Sequence, residues 1–370
     1  MEQMNFFGGI IVTEQITYFL GANTPFGFHS LYNELYDPAD GWHAYILKGG
    51  PGTGKSTFMK HIAQRCDEAG IAYEVIRCAS DPASLDALRI PCAKICVADG
   101  TAPHVIDPQY PGAVETVLDL SRFWDGKALR SRREDILRLT NENSAQHKKC
   151  VRFLQAAESL SRDVRRLALS CVDTDKVERY ASRLASRKFG TPRGTVGMEF
   201  KRFLSAVTPD GIFVHHNTLD TLCDETLIVD DPYGAVSGAL LGCLRRYALG
   251  TGLDVISCPC VLHADCGPQH LIVPELRLAI LTDNCYHHFE GTSTVHASRF
   301  TDSSLLKTHR SRISFSRRTE RELLEEAAHA SRSALAIHNE LEEIYKSAMD
   351  FGAVAALAAQ TAEEILAEIG

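Results

Sequence analysis

The apolar positions of the chain fall twice into the same succession. Residues 16 to 22 form an apolar strand that runs into a Thr-Pro-x-Gly turn. Tyr45–Leu47 is a second strand end, and the stretch 57–66 places Phe58, Met59, Ile62 and Cys66 at helical spacing. YEVIRC (73–78) and AKICVAD (93–99) follow as continuous apolar runs, the signature of strands buried on both faces of a parallel sheet. From about 127 to 188 the sequence turns helix-rich. The second succession opens with a strand at 200–206. LIVDDPYGAVSGALLGCL (227–244) then reads as strand, turn and apolar helix, and DVISC (254–258) and LRLAILTD (276–283) read as further strands. A helix-rich tail (307–369) closes it, with Leu335, His338, Leu341, Ile344, Tyr345 and Ala348 at helical spacing. Few strands are visible after each third one, so each sheet is expected to be small or to be completed from the other half.

The two successions align residue by residue. Tyr45, Ile46, Leu47, Gly52 and Gly70 each have a counterpart 182 residues on, in Leu227, Ile228, Val229, Gly234 and Gly252. FLGANTPFG (19–27) matches FLSAVTPDG (203–211), RIPCAK (89–94) matches IVPELR (272–277), and His104 falls on His287. Further on, Lys127, Arg130 and Arg132 match Lys307, Arg310 and Arg312 at an offset of 180. So long a period fits a duplicated domain rather than a solenoid repeat. The expected fold class is α/β: a P-loop NTPase-like parallel sheet with helices on both faces, duplicated in tandem, each half with a helical appendage. The expected halves are 1–190, with its helical segment at about 127–188, and 191–370, with its own at about 307–369. The two are expected to pack as an intramolecular pseudo-dimer.

Chemistry enters between the strand and helix of the first half. YILKGGPGTGKSTFMK satisfies G-x-x-x-x-G-K-[ST] through Gly49, Gly54, Lys55 and Ser56. Glycines let consecutive backbone N–H groups turn onto phosphate oxygens, and the helix start adds its positive dipole end. Gly49, Gly50, Pro51, Gly52, Thr53, Gly54, Lys55, Ser56 and Thr57 form the candidate ATP cradle. Lys55 would reach the β- and γ-phosphates and the Ser56 hydroxyl would ligate Mg²⁺. Asp99 ends the strand KICVAD, the place of a carboxylate that holds Mg²⁺ directly or through water, so the candidate catalytic pair is Lys55 and Asp99 and the metal pair Ser56 and Asp99. No glutamate follows Asp99. Asp81, Asp86, His104 and Asp107 are the candidates for activating water.

In the second half the same outline has lost that chemistry. Ser237, Gly238 and Val236 stand where Lys55, Ser56 and Gly54 stand, and Asp230 and Asp231 replace Lys48 and Gly49, so a phosphate would meet like charge. The second half therefore reads as a pseudo-ATPase domain. Binding of another ligand in the same crevice stays open, because such crevices recur in α/β sheets. Cys258, Cys260, His263 and Cys266 crowd into CPCVLHADC, but their spacing is not that of a common zinc site and they read as strand-end and loop thiols. The basic runs 127–138 and 307–321 read as solvated helix faces. The shared Lys-x-x-Arg-Ser-Arg raises a sharper expectation, that Arg310, or Arg130 within the first half, reaches the γ-phosphate as an arginine finger.

Composition narrows the class. The chain of 370 residues is 45% hydrophobic with a net charge of −8, which argues against a general nucleic-acid coat. No uncharged apolar run reaches the ~18 residues of a membrane span. MEQMNFFGGIIVTEQ has neither a basic n-region nor a long apolar core, so no secretion signal is expected, and the 12 cysteines are expected as reduced thiols in the cytoplasm.

LKGGPGTGKST, CASDPASLD, VADGTAPHVIDP, PGAVE and FWD together resemble an uncharacterised family of bacterial tandem P-loop ATPases, over nearly the whole chain. That resemblance implies ATP binding at Gly49 to Ser56. Members of that family often carry a second P-loop in the C-terminal half, and this sequence departs from them there. The expected activity is Mg²⁺-dependent ATP hydrolysis at one competent site. Alternatives are a P-loop small-molecule or nucleotide kinase, and an ATP-gated interaction module with little turnover. The protein or small-molecule partner is not named by the sequence.

Overall fold

Two six-stranded sheets, one from each half, carry the same strand order in the computed structural model, which describes residues 16–369. The stretch read for a secretion signal, 1–15, lies outside the described residues. The first half runs through β1 (Ile16–Tyr18), a hairpin of β2 (Gly21–Thr24) and β3 (Gly27–Ser30), β4 (His43–Lys48), α1 (Lys55–Ala69), β5 (Glu74–Arg77), β6 (Leu85–Ile90), β7 (Ile95–Asp99), β8 (Glu115–Asp119), α2 (Gly126–Ser131), α3 (Arg133–Leu169) and α4 (Thr174–Lys188). The second repeats the plan as β9 (Glu199–Lys201), β10 (Ser205–Thr208), β11 (Gly211–Val214), a short α5 (His216–Leu222), β12 (Glu225–Asp230), α6 (Ala235–Thr251), β13 (Val255–Pro259), β14 (Pro268–Val273), β15 (Leu278–Asp283), β16 (Ser293–His296), α7 (Ser303–Thr308), α8 (Arg310–Lys346) and α9 (Phe351–Ile369).

The sheet orders are β1-β5-β6-β7-β4-β8 and β9-β13-β14-β15-β12-β16. The sheets are mixed, not parallel as expected. β6 and β14 run antiparallel to both neighbours, whereas β4 and β12 sit parallel between theirs. The cause is the connection after each of these strands. It is a tight turn whose last residue takes the left-handed conformation, Lys94 at φ 53° and Arg277 at φ 48°, and so short a turn can only reverse the chain. Each sheet is complete within its own half. β6 is hard to see in sequence because Asp86 and Arg89 interrupt its apolar run. Both are buried, and Arg89 pairs with Glu74 at 3.2 Å and lies 4.0 Å over the Trp42 ring.

Alternating strand positions divide the core. Tyr45 and Leu47 face one way, against Phe58, Met59 and Ile62 of α1, while Ala44 faces the other. The second side belongs to a shared core. It joins Ala44, Ile76 and Ala98 of the first sheet with Ile228, Ile256 and Leu281 of the second, and with Leu154 of α3 and Leu324 of α8. Helices therefore cover one face of each sheet as a layer, and the other face is closed mainly against the opposite half.

The helical appendages cross over. α9, from the second half, packs Val354, Ala358, Ala362 and Ile365 onto α1 of the first. α4, from the first, packs Val177, Ala181 and Leu184 among Leu240, Leu241 and Leu244 of α6 in the second. α3 and α8, 37 residues each, run antiparallel along one another. Leu139 near the start of α3 meets Leu341 and Ile344 near the end of α8, and Arg312 near the start of α8 pairs with Asp163 near the end of α3 at 2.7 Å. The crossings are pinned symmetrically: the Asp125 N–H donates to Ala348 O at 2.7 Å and the Asp302 N–H to Cys171 O at 2.8 Å. Asp125 and Asp302 are also the N-caps of α2 and α7. Their equivalence sets the offset in this region to 177 rather than 180. Arg130 then matches Lys307, Arg133 matches Arg310, and the shared Lys-x-x-Arg-Ser-Arg is not a structural correspondence.

Candidate functional site

The glycine-rich loop joins β4 to α1. Gly52 and Gly54 take φ 67° and 89°, a left-handed conformation that side chains resist and that lets the loop close tightly over the helix start. Lys55 is the first residue of α1. Its Nζ donates to Gly49 O at 3.0 Å and Gly50 O at 2.9 Å, and lies 3.6 Å from Asp99 Oδ2. Asp99 ends β7, directly beside β4 in the register Leu47 to Asp99. Its other oxygen, Oδ1, accepts the Thr101 N–H at 2.8 Å and the Thr101 hydroxyl at 2.6 Å. The Ser56 hydroxyl accepts the Leu85 N–H at 3.0 Å, and the Thr53 hydroxyl donates to Gly50 O at 2.9 Å. The residues expected from sequence to act together, Lys55, Ser56 and Asp99, thus meet at one end of the sheet. Thr57 is exposed on the outer side of α1.

The other half reaches this loop. The Gly52 N–H donates to Glu342 Oε1 of α8 at 3.2 Å, a Cβ on Gly52 would stand 2.7 Å from Glu342 O, and a Cβ on Gly50 would stand 3.0 Å from the Tyr345 ring. A carboxylate therefore sits on an amide of the kind that cradles phosphate. His338 at 3.3 Å and Lys346 at 2.9 Å hold the Glu342 carboxyl ionised, and its pKa drops to about 2, with the His338 hydrogen bond as the largest cause. The expected arginine finger has no support here. Arg310 is the first residue of α8 and Glu342 lies near its end, ~48 Å along the axis at 1.5 Å per residue. Arg130 and Arg132 are exposed, and Arg132 pairs with Asp135.

The water-activating candidates are engaged elsewhere. Asp107 pairs with Lys48 at 3.1 Å and is exposed, and Asp81 caps the turn through the Ala83 N–H and the Ser84 hydroxyl. Asp86 is buried. It accepts from the Tyr32 hydroxyl at 2.9 Å, from Cys78, and faces His104 Nε2 at 3.3 Å, while burial raises its pKa. Among the described residues, Cys78, Asp86 and His104 are the one group of three metal-type side chains whose ligand atoms lie within 4.8 Å of one another. Three donors around one carboxylate satisfy it as a structural network. Cys260, Gln269 and His287 occupy the equivalent places in the second half, with Gln269 Nε2 at 3.2 Å from His287 Nδ1.

In the second half the loop between β12 and α6 keeps one left-handed glycine, but α6 begins at Ala235, two positions earlier than α1, and the turn made by Gly54 is absent. Gly234 is left-handed at φ 67°, like Gly52. Asp231, at 1% exposure, takes the Ser237 N–H at 2.8 Å and the Tyr233 N–H at 3.2 Å on its own carboxylate. Of these two amides, that of Ser237 corresponds to Lys55 in the first loop, and that of Tyr233 corresponds to Pro51, which has no N–H. Asp230 pairs with His296 at 2.7 Å, and Thr282, the counterpart of Asp99, is buried with its hydroxyl donating to Gln269 O at 2.6 Å.

Two residues at this pair of sites carry no sequence signal. Glu342 on α8 and Arg165 on α3 are equivalents under the offset of 177, and each approaches the loop of one half. Charges along a long helix look like a solvated face until its partner is known. Comparison of the chain with family models, with curated proteins and with solved structures returned no match. No helix among the described residues is long and apolar enough to cross a membrane.

Proposed function

We propose that the protein binds one ATP with Mg²⁺ at the loop of residues 49–57 and hydrolyses it, the second half acting as a pseudo-ATPase partner. The reading is carried by one observation: a left-handed glycine loop that places Lys55 at the start of α1, 3.6 Å from a carboxylate on the adjacent strand. In this role the loop amides and Lys55 hold the phosphates, and Ser56 and Asp99 are the ligands offered to Mg²⁺, which would neutralise charge on the transferred phosphoryl. A single site per chain is supported by Asp231, whose carboxylate takes the Ser237 amide, the counterpart of that of Lys55.

Glu342 favours a gated form of this function. Nucleotide has to displace the carboxylate from the Gly52 N–H, so occupancy of the first loop acts on a helix of the second half. Calorimetry with ATP and Mg²⁺ tests the proposal. Lys55→Ala removes charge-assisted contacts worth ~1.5–3 kcal/mol each and is expected to weaken ATP at least tenfold. Asp99→Asn is expected to lower turnover more than affinity. Unchanged affinity in Lys55→Ala, or two nucleotides per chain, would overturn it. Turnover far below ~1 s⁻¹ with tight binding favours gating over processive hydrolysis.

A further inference from the structure

The second half retains a cavity of about 110 Å³ between its loop, α3 and α8. Its walls are largely apolar, from Val164, Ile212, Pro232, Val261 and Leu262. One charge in it has no counterpart. At the end of α3, Arg162 pairs with Glu158 and Asp265, and Arg166 pairs with Asp163. Arg165 lines the cavity, and no ion pair or hydrogen bond engages its guanidinium among the described residues. Glu320 also lines the cavity, but its carboxyl is engaged by the Ser161 and Tyr286 hydroxyls and by Arg317. Arg317 in turn lies 5.6 Å over the Tyr233 ring.

The loop is shaped around Arg165. Gly238 is the counterpart of Ser56, and a Cβ there would stand 2.2 Å from Arg165 Nη2. Losing the serine side chain thus made room for a guanidinium. Two further wall groups lack partners. Gln269 Oε1 is closed to solvent with no hydrogen bond, and so is Nδ1 of His263, which is 8% exposed and has the Glu158 carboxylate no nearer than 3.9 Å. A buried polar atom without a partner costs free energy that a bound ligand can recover.

We propose that this cavity binds a small organic anion, an apolar or aromatic body bearing one phosphate or carboxylate, with Arg165 as its counter-charge and Gln269 as acceptor for a ligand donor. At about 110 Å³ the cavity is smaller than the ~150 Å³ that encloses a benzene ring, so an aryl body would enter it only in part, with the rest at its mouth. The two halves then treat anions oppositely. The first offers loop amides and a lysine from the sheet side. In the second, Asp231 occupies the amides and the positive charge comes from the crossing helix. The site is independent of the ATP reading, since none of its residues belongs to the first loop.

The test is calorimetric titration of the full chain with phenyl phosphate and with benzoate, each in the Lys55→Ala background so that the first loop does not contribute. At least one probe is expected to bind, and its preference over the other identifies phosphate or carboxylate as the anionic group. Arg165→Ala is expected to weaken it at least tenfold. Gly238→Ala, whose methyl pushes only the flexible end of Arg165, is expected to weaken it severalfold with melting temperature kept, which separates loss of the site from loss of the fold. The proposal is overturned if neither probe binds, or if Arg165→Ala leaves affinity unchanged. Inorganic phosphate or acetate binding as tightly as the aryl compounds would overturn the apolar body.

Discussion

The two glycine loops share one left-handed turn, at Gly52 and Gly234, and differ in how they meet a negative charge. In the first, the Gly52 amide meets a carboxylate, Glu342, that comes from the other half on α8. In the second, Asp231 supplies the carboxylate from the loop itself, buried and bonded to two amides. A strand–turn–helix of this shape requires an anion or a donor sink at its amides, because several N–H groups converge there. In the second half that anion is supplied by the loop itself, through the buried Asp231 carboxylate.

The comparison breaks most readily at Asp231. Asp231→Ala leaves the buried Ser237 amide and the half-buried Tyr233 amide without their partner and is expected to cost roughly 1–3 kcal/mol, read as a fall in melting temperature. In the Lys55→Ala background, sulfate should raise the stability of the Asp231→Ala variant more than that of the chain with Asp231 intact. Rescue in neither would mean that the amides no longer form an anion receptor.

Acid sharpens the contrast at a smaller scale. Burial lowers the pKa of His263 and His287 to about 4, from an ordinary value near 6.5, and holds that of His270 well below the ordinary value too. A histidine whose pKa falls on folding takes up its proton more readily when unfolded. Its contribution to stability is complete above 6.5 and drains away as pH drops through about 4. All three lie in the second half. The melting temperature is expected to fall by several degrees between pH 7 and 5, ~1 kcal/mol corresponding to roughly 2 °C in a chain of this size. Hydrogen exchange should show β14 and β15 losing protection ahead of α1 and β4, and the reverse order would contradict the assignment.

The mildest test concerns Glu342. Its half-buried carboxylate competes for one loop amide, so Glu342→Ala is expected to tighten ATP binding by roughly two- to fivefold, in line with ~0.5–1 kcal/mol for one hydrogen bond. Unchanged affinity would show that the nucleotide and the carboxylate do not share the amide.

Local order was legible in the sequence and cross-chain placement was not. β4, β7, β12 and β15 are continuous apolar runs, and the loop, Lys55 and Asp99 are fixed by short spacings, so strand, turn and helix could be read directly. β6 and β14 were missed because Asp86, Arg89, Gln269 and His270 break the apolar pattern, and each is sheltered by partners distant in sequence. The same six letters, Lys-x-x-Arg-Ser-Arg, suggested a correspondence that the N-caps Asp125 and Asp302 move by three residues. Glu342 and Arg165 were invisible for a related reason. What they face depends on which half each long helix crosses to, and no local pattern records that.

That crossing also explains how one chain can hold both copies with so little connecting sequence. By the time the first copy ends at Lys188, α4 already rests on α6 of the second copy, and β9 begins at Glu199. The backbone does not have to travel from one sheet to the other, because its last helix has made the journey as part of the fold. Cutting the chain at this connector would leave each fragment without the helix that packs on its own α1 or α6, and with one whose partner lies in the other fragment. Fragments 1–190 and 191–370 are therefore expected to be stable only when mixed, each supplying the helix that packs on the other.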